Sequence, residues 1–91
     1  MHKLFMALGL SFACLFAHAE LDINRAREID LEGLKGVGPS LSARILKARE
    51  VRPFNNWQDL QQRVKGIGPV LTQSLSDQGA RIDGKSWTPT K

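Results

Sequence analysis

Leu34-Lys35-Gly36-Val37-Gly38-Pro39-Ser40-Leu41 returns 30 residues later as Val64-Lys65-Gly66-Ile67-Gly68-Pro69-Val70-Leu71. The lysine, both glycines, the proline and the closing leucine coincide, and Leu/Val and Val/Ile are conservative pairs. So dense a recurrence in a chain of 91 residues implies one supersecondary unit built twice. Each unit is too small to bury its own apolar face and must pack on the other.

Working outward, Asn24 is expected to cap a first helix that carries Leu31 and Leu34 three apart, with Gly36 stopping it by entering the left-handed conformation. Pro39 opens a second helix, because the N–H a proline lacks would be unpaired at that position anyway. Leu41, Ile45 and Ala48 form its buried stripe, and Pro53 ends it. Asn55 or Asn56 caps a third helix bearing Trp57, Leu60 and Val64. A fourth runs from Pro69 through Leu71 and Leu75 to a terminator at Gly79. Residues 80–84 read as extended, and 85–91 as a loose tail.

No run alternates long enough to demand a sheet, so the fold class is all-α, two helical hairpins with four main helices. The expected core is Leu31, Leu34, Val37, Leu41, Ile45, Leu60, Val64, Ile67, Leu71 and Leu75. Phe54 and Trp57 read as packing at the seam between hairpins, since base stacking would need exposed rings interleaved with charge. Trp87 is open to either role.

The first 19 residues read as a signal peptide. His2 and Lys3 are a short basic start, residues 4–16 an apolar run, and Ala17-His18-Ala19 supplies small residues for cleavage after Ala19. An uncleaved anchor is the alternative, but a bilayer-spanning helix wants roughly 20 apolar residues, and a polar segment begins at Glu20. Lipidation at Cys14 is a second alternative, set against the absence of a leucine at the head of Ser11-Phe12-Ala13. Cleavage divides the chain into a signal peptide (1–19), a domain (20–84) and a flexible tail (85–91), and marks the product for export. It also removes Cys14, His2 and His18, leaving no disulfide, no histidine base and no soft metal ligand. Catalysis, a cofactor and a small-molecule substrate are therefore not expected.

Removal of Lys3 takes the formal charge from +4 to +3, unevenly spread. Residues 35–65 hold seven basic side chains (Lys35, Arg44, Lys47, Arg49, Arg52, Arg63, Lys65) against Glu50 and Asp59, a net +5, while the rest of the mature chain is mildly acidic. A basic middle calls for an anionic partner.

Each Gly-hydrophobic-Gly turn leads into a helix N-terminus, where amides lack intrahelical partners and the helix dipole is positive. Gly36 and Gly66 permit the reversal, Val37 and Ile67 anchor it in the core, and Gly38 and Gly68 let a phosphate oxygen reach the backbone. The expected donors are the amides of Gly38, Ser40 and Leu41, and of Gly68, Val70 and Leu71. Lys35 and Lys65 precede the turns, and Ser40, Arg44 and Lys47 share a helix face beside the first. One Gly-x-Gly before a helix is often just a compact turn, and a basic stripe is usually a solvated face. Duplication with the same lysine is what raises both above that.

With the upstream Asp22-Ile23-Asn24-Arg25-Ala26, the paired motif resembles the tandem helix-hairpin-helix domain of the ComEA family across residues 21–82. The resemblance implies sequence-independent binding to the backbone of double-stranded DNA, and receipt and retention of incoming DNA in the periplasm during natural transformation. An inner-membrane DNA channel or uptake pilus would be the protein partner, and the free chain a monomer. Two departures stand out. Arg25 replaces a common threonine, and Gln73 stands where Ala43 in the first copy offers a small residue for close helix packing. The second copy also lacks a basic stripe, so the first is expected to dominate affinity. The rival reading is an exported docking module that binds protein, a use to which a similar fold is put in an extrinsic lumenal subunit of photosystem II. An enzyme such as a DNA glycosylase or nuclease is a third, since helix-hairpin-helix units serve as DNA grips inside such enzymes; this chain looks like the grip without the catalytic domain.

Overall fold

Glycine and proline punctuate the chain much as their positions suggest. In a computed structural model, which describes residues 20–89, four helices are laid out as α1 (Glu28–Glu32), α2 (Pro39–Val51), α3 (Trp57–Arg63) and α4 (Pro69–Asp77), flanked by strands β1 (Leu21–Asp22) and β2 (Ala80–Arg81). The expected signal peptide lies outside the described residues. Pro39 and Pro69 each open a helix, with Gly38 and Gly68 as N-caps. Asn56 caps α3 by accepting the Asp59 N–H at 2.7 Å. Gly79, at φ +103°, follows the end of α4.

α1 departs from expectation at both ends. Asn24 is not its cap: the Asn24 side chain accepts the Phe54 N–H (2.7 Å) and donates to the Phe54 carbonyl (3.0 Å). Satisfying both groups of a distant buried backbone outweighs a local cap, because a buried orphan costs about 1–3 kcal/mol. The helix starts after Arg27, whose N–H donates to Asp30 Oδ2 (3.3 Å), and it ends at Gly33 before reaching Gly36. Five residues do not hold a helix alone. α1 is held by packing on α2, with Leu31 fully enclosed.

A small sheet also qualifies the all-α expectation. β1 and β2 pair in parallel, Leu21 opposite Ala80 and Asp22 opposite Arg81, so the two ends of the fold are tied together. The Leu21 N–H donates to Gly79 O (2.9 Å) and the Ile23 N–H to Arg81 O (3.0 Å). Two-residue strands are too short to show alternation.

The core is one cluster drawn from both repeats. Ile45 and Leu75, 30 residues apart, are both fully enclosed, and so are the paired Ser42 and Thr72. Leu34, Val37, Val64 and Ile67 are buried as expected, whereas Leu41 and Leu71 are only partly covered. Phe54 and Trp57 are core residues, joined by Ile23, Ala26, Ala80 and Ile82 from segments that carry no helical period.

Residues 85–87, assigned by sequence to a loose tail, are fastened to the body. Asp83 (φ +56°) and Gly84 (φ +72°) make a tight reversal that pairs Ile82 with Lys85, the Asp-Gly signature of a two-residue hairpin loop. The Trp57 indole N–H then donates to Lys85 O (2.9 Å), and the Trp87 N–H to Ser76 Oγ (2.8 Å), with the Trp87 ring packed against the core.

Candidate nucleic-acid interface

The two turns have matching backbones. Gly36 and Gly66 sit at φ +91° and +103°, a region that disfavours any side chain. The Val37 N–H donates to Leu34 O and the Ile67 N–H to Val64 O, closing each reversal. One residue on, Ser42 N–H donates to Gly38 O and Thr72 N–H to Gly68 O, both at 2.9 Å, starting the helical ladders of α2 and α4. The amides of Gly38, Ser40 and Leu41, and of Gly68, Val70 and Leu71, meet no protein acceptor among the described residues.

Gly38 and Gly68 are glycine for a different reason from Gly36 and Gly66. Both are extended (φ −95° and −107°), a conformation open to every residue, and a Cβ at either would meet nothing within 4 Å. Packing therefore does not require glycine at either position. Ser, Thr, Asp or Asn at an N-cap would hydrogen-bond the amides two or three residues on and occupy the space in front of them. Asn56 does that for α3. Glycine instead leaves two helix ends with open donors and open space, the requirement for admitting an anion.

The turns line one shallow cleft, with Lys35 and Gly36 on one side and Gly66, Gly68, Pro69 and Val70 on the other. Leu71 from α4 reaches under the first turn, its Cδ1 only 2.6 Å from where a Gly36 Cβ would stand. Leu41 from α2 does the same beneath Gly66, at 3.7 Å.

The structure divides the basic middle into two groups. The four arginines are engaged with protein. Arg63, with its side chain 16% exposed, donates to Ala48 O (2.6 Å), Arg52 O (2.9 Å), Pro53 O (3.3 Å) and Asp59 (3.1 Å), and stacks 4.7 Å over the Phe54 ring. It thereby closes the C-terminus of α2. Arg49 donates to Ile23 O (2.8 Å), and Arg52 pairs with Asp59 (3.2 Å). Asp59 is held below the usual carboxylate range by the Asn55 N–H first, then by Arg63 and Arg52. Arg44, expected on the basic stripe, turns to the second repeat, donating to Lys65 O (3.0 Å) and to Ser40 Oγ (3.3 Å). Lys35, Lys47 and Lys65 are exposed, and their ammonium groups donate to no protein acceptor among the described residues.

Sequence reasoning missed Gln78. Its amide brackets the residue before the first turn, accepting the Lys35 N–H (2.8 Å) and donating to Lys35 O (3.2 Å). No repeat could show this, because the partner 30 residues earlier is Ala48. Ala43 is exposed rather than set against another helix, and Gln73 instead donates to Asp77 (2.9 Å) on its own helix.

Among the described residues there is no group of three or more His, Cys, Asp or Glu suited to a metal ion, and no helix long and apolar enough to cross a membrane. No curated protein and no solved structure matches the chain. Residues 17–78 match the family of the helix-hairpin-helix motif, an element that points to nucleic-acid binding in general, and the chain belongs to that family.

Proposed function

We propose that the protein is a tandem helix-hairpin-helix grip that binds the phosphate backbone of double-stranded DNA without regard to sequence. The observation that carries this reading is the pair of N-cap glycines, Gly38 and Gly68, which keep two helix N-termini uncapped and unobstructed where the fold itself makes no demand for glycine. Three exposed lysines, Lys35, Lys47 and Lys65, supply charge around them. Amides and ammonium groups that contact phosphate carry no base information, so indifference to sequence follows.

The chain acts by binding rather than by catalysis, as a monomer when free. Its site of action is the periplasm, where it receives and holds incoming DNA for an inner-membrane channel or uptake pilus. This physiological part rests on the signal-like residues 1–19 and on the ComEA resemblance of the paired motifs.

The test is binding of labelled duplexes of unrelated sequence across a salt series, with Gly38→Val alongside. With about four to six phosphates engaged, log affinity falls against log salt with a slope near −4 to −5, the same for every duplex. Gly38→Val weakens binding without unfolding the chain. A folded chain that binds no duplex at low salt overturns the reading and leaves protein docking in its place.

A further inference from the structure

We infer that Arg44 and Gln78 are positioning residues which lock the two glycine turns to one another, each reaching from one hairpin to the residue that precedes the other hairpin's turn. The inference rests on the phosphate-grip reading and concerns how that grip is held ready.

The contacts are reciprocal. Arg44 extends from α2 to Lys65 O (3.0 Å) and is steadied by Ser40 Oγ (3.3 Å), four residues back on its own helix. Gln78, at the end of α4, takes both backbone groups of Lys35 and is steadied by Ser74 Oγ (3.1 Å), again four residues back. The two residues lie at different heights on their helices, Arg44 five residues beyond Pro39 and Gln78 nine beyond Pro69. The same task is thus done by unrelated side chains one helical turn apart. Leu71 under Gly36, and Leu41 with Arg44 Nη1 (3.2 Å) under Gly66, complete the crossing.

Without these crossing contacts the turns, at the surface of the shared core, would keep more freedom relative to one another and would have to be ordered when a duplex arrives. Fixing them to each other beforehand removes that ordering cost from binding. The clamp also sets the carbonyl and amide of Lys35 and the carbonyl of Lys65, and so the direction in which each lysine leaves the backbone. On this account Arg44 acts through Lys65 rather than as a phosphate contact.

The test uses the full chain and two readouts. Gln78→Ala is expected to weaken duplex binding about five- to tenfold, the loss of two modest hydrogen bonds, with the salt slope unchanged because no phosphate contact is lost. In the free protein the same change should speed hydrogen exchange at the Lys35 amide. Gln78→Glu, which keeps the acceptor but loses the donor, should slow that exchange relative to Gln78→Ala. Arg44→Lys should weaken binding as much as Arg44→Gln, since an ammonium cannot span Lys65 O and Ser40 Oγ together. Wild-type affinity in Arg44→Lys, together with a salt slope shallower by about one in Arg44→Gln, would show a direct phosphate contact and overturn the positioning role. Unchanged affinity and unchanged Lys35 exchange in Gln78→Ala would overturn the other half. Failure of the underlying grip reading looks different: the wild-type chain then binds no duplex, while Gln78→Ala still speeds exchange at Lys35.

Discussion

Gly38→Asp should make the protein more stable and a worse binder at once. The extended backbone at Gly38 suits any residue, and the space around its missing Cβ is empty, so the substitution meets no steric penalty. The new carboxylate can accept the idle Ser40 or Leu41 amide and sits at the positive end of α2. Capping adds a few tenths of a kcal/mol over glycine and the dipole about 0.3–1 kcal/mol. Together these raise stability by roughly 0.5–1 kcal/mol, or about 3–6 °C in Tm for a domain of this size. Binding moves the other way. If two amide bonds to one phosphate are lost, each charge-assisted and worth about 1.5 kcal/mol or more, affinity falls by about 3 kcal/mol, on the order of a hundredfold. The salt slope becomes shallower by about 0.9, one phosphate fewer. Gly38→Asn, which caps without charge, separates blocked donors from repulsion and should weaken binding by a smaller factor. Thermal melts and a salt series on both variants decide it. A more stable Gly38→Asp chain with wild-type affinity and slope would show that these amides never meet phosphate.

Gly36→Ala should behave in the opposite way: a methyl group at φ +91° and 2.6 Å from Leu71 Cδ1 lowers stability by about 2–4 kcal/mol, read by chemical denaturation, and a loss under 0.5 kcal/mol would refute the close approach. The basic residues should split by type, with Lys65→Gln flattening the salt slope by about 0.9 at unchanged stability. Arg63→Gln should lower the melting temperature instead, because it strips α2 of its C-terminal partners; equal effects from the two would erase the distinction. Asp59 ties stability to pH. Its folded pKa is depressed, so its contribution is complete above the unfolded value of about 3.9 and disappears as pH falls through the folded value. Asp59→Asn should therefore be less stable than wild type at neutral pH and lose less on acidification; parallel acid melts for the two proteins would exclude this role.

Helix starts at proline and the twin reversals were legible because their signals are local: a fixed φ at Pro39 and Pro69, a positive φ at Gly36 and Gly66. Ile45, Leu60 and Leu75 were legible as core from spacing alone. What the sequence hid was non-local. Asn24 reads as a cap until Phe54 is folded against it, and Ile23, Ala80 and Ile82 are core only because the two chain segments meet in a ribbon too short to show a pattern. The Asp83-Gly84 turn was readable in principle, since that dipeptide favours a tight hairpin, but the flanking residues offer no alternation to support it. At the site, the amides and lysines followed from the motif, while Arg44 and Gln78 gain their roles from contacts with the opposite repeat.

Those crossed contacts alter the expected balance between the repeats. From sequence, the first turn should dominate, because Ser40, Arg44 and Lys47 surround it and the second has no counterpart stripe. A guanidinium forms a planar fork suited to several fixed acceptors, and the protein uses Arg63 in that way on three of its own carbonyls and Arg44 on Lys65 O and Ser40 Oγ. In the basic middle, the charges left without a protein acceptor among the described residues are the compact ammonium groups of Lys35, Lys47 and Lys65, which attract phosphate without demanding one geometry. With Arg44 committed to Lys65 O, each turn retains three free amides and one preceding lysine, and the difference shrinks to Lys47 beside the first and an exposed Val70 in place of Ser40 at the second. Gly68→Asp should then weaken duplex binding to within about threefold of Gly38→Asp, since each removes the same kind of amide contact. A loss at Gly68 tenfold smaller than at Gly38 would mean that the first turn carries the load after all, with Arg44 swinging from Lys65 to meet the DNA itself.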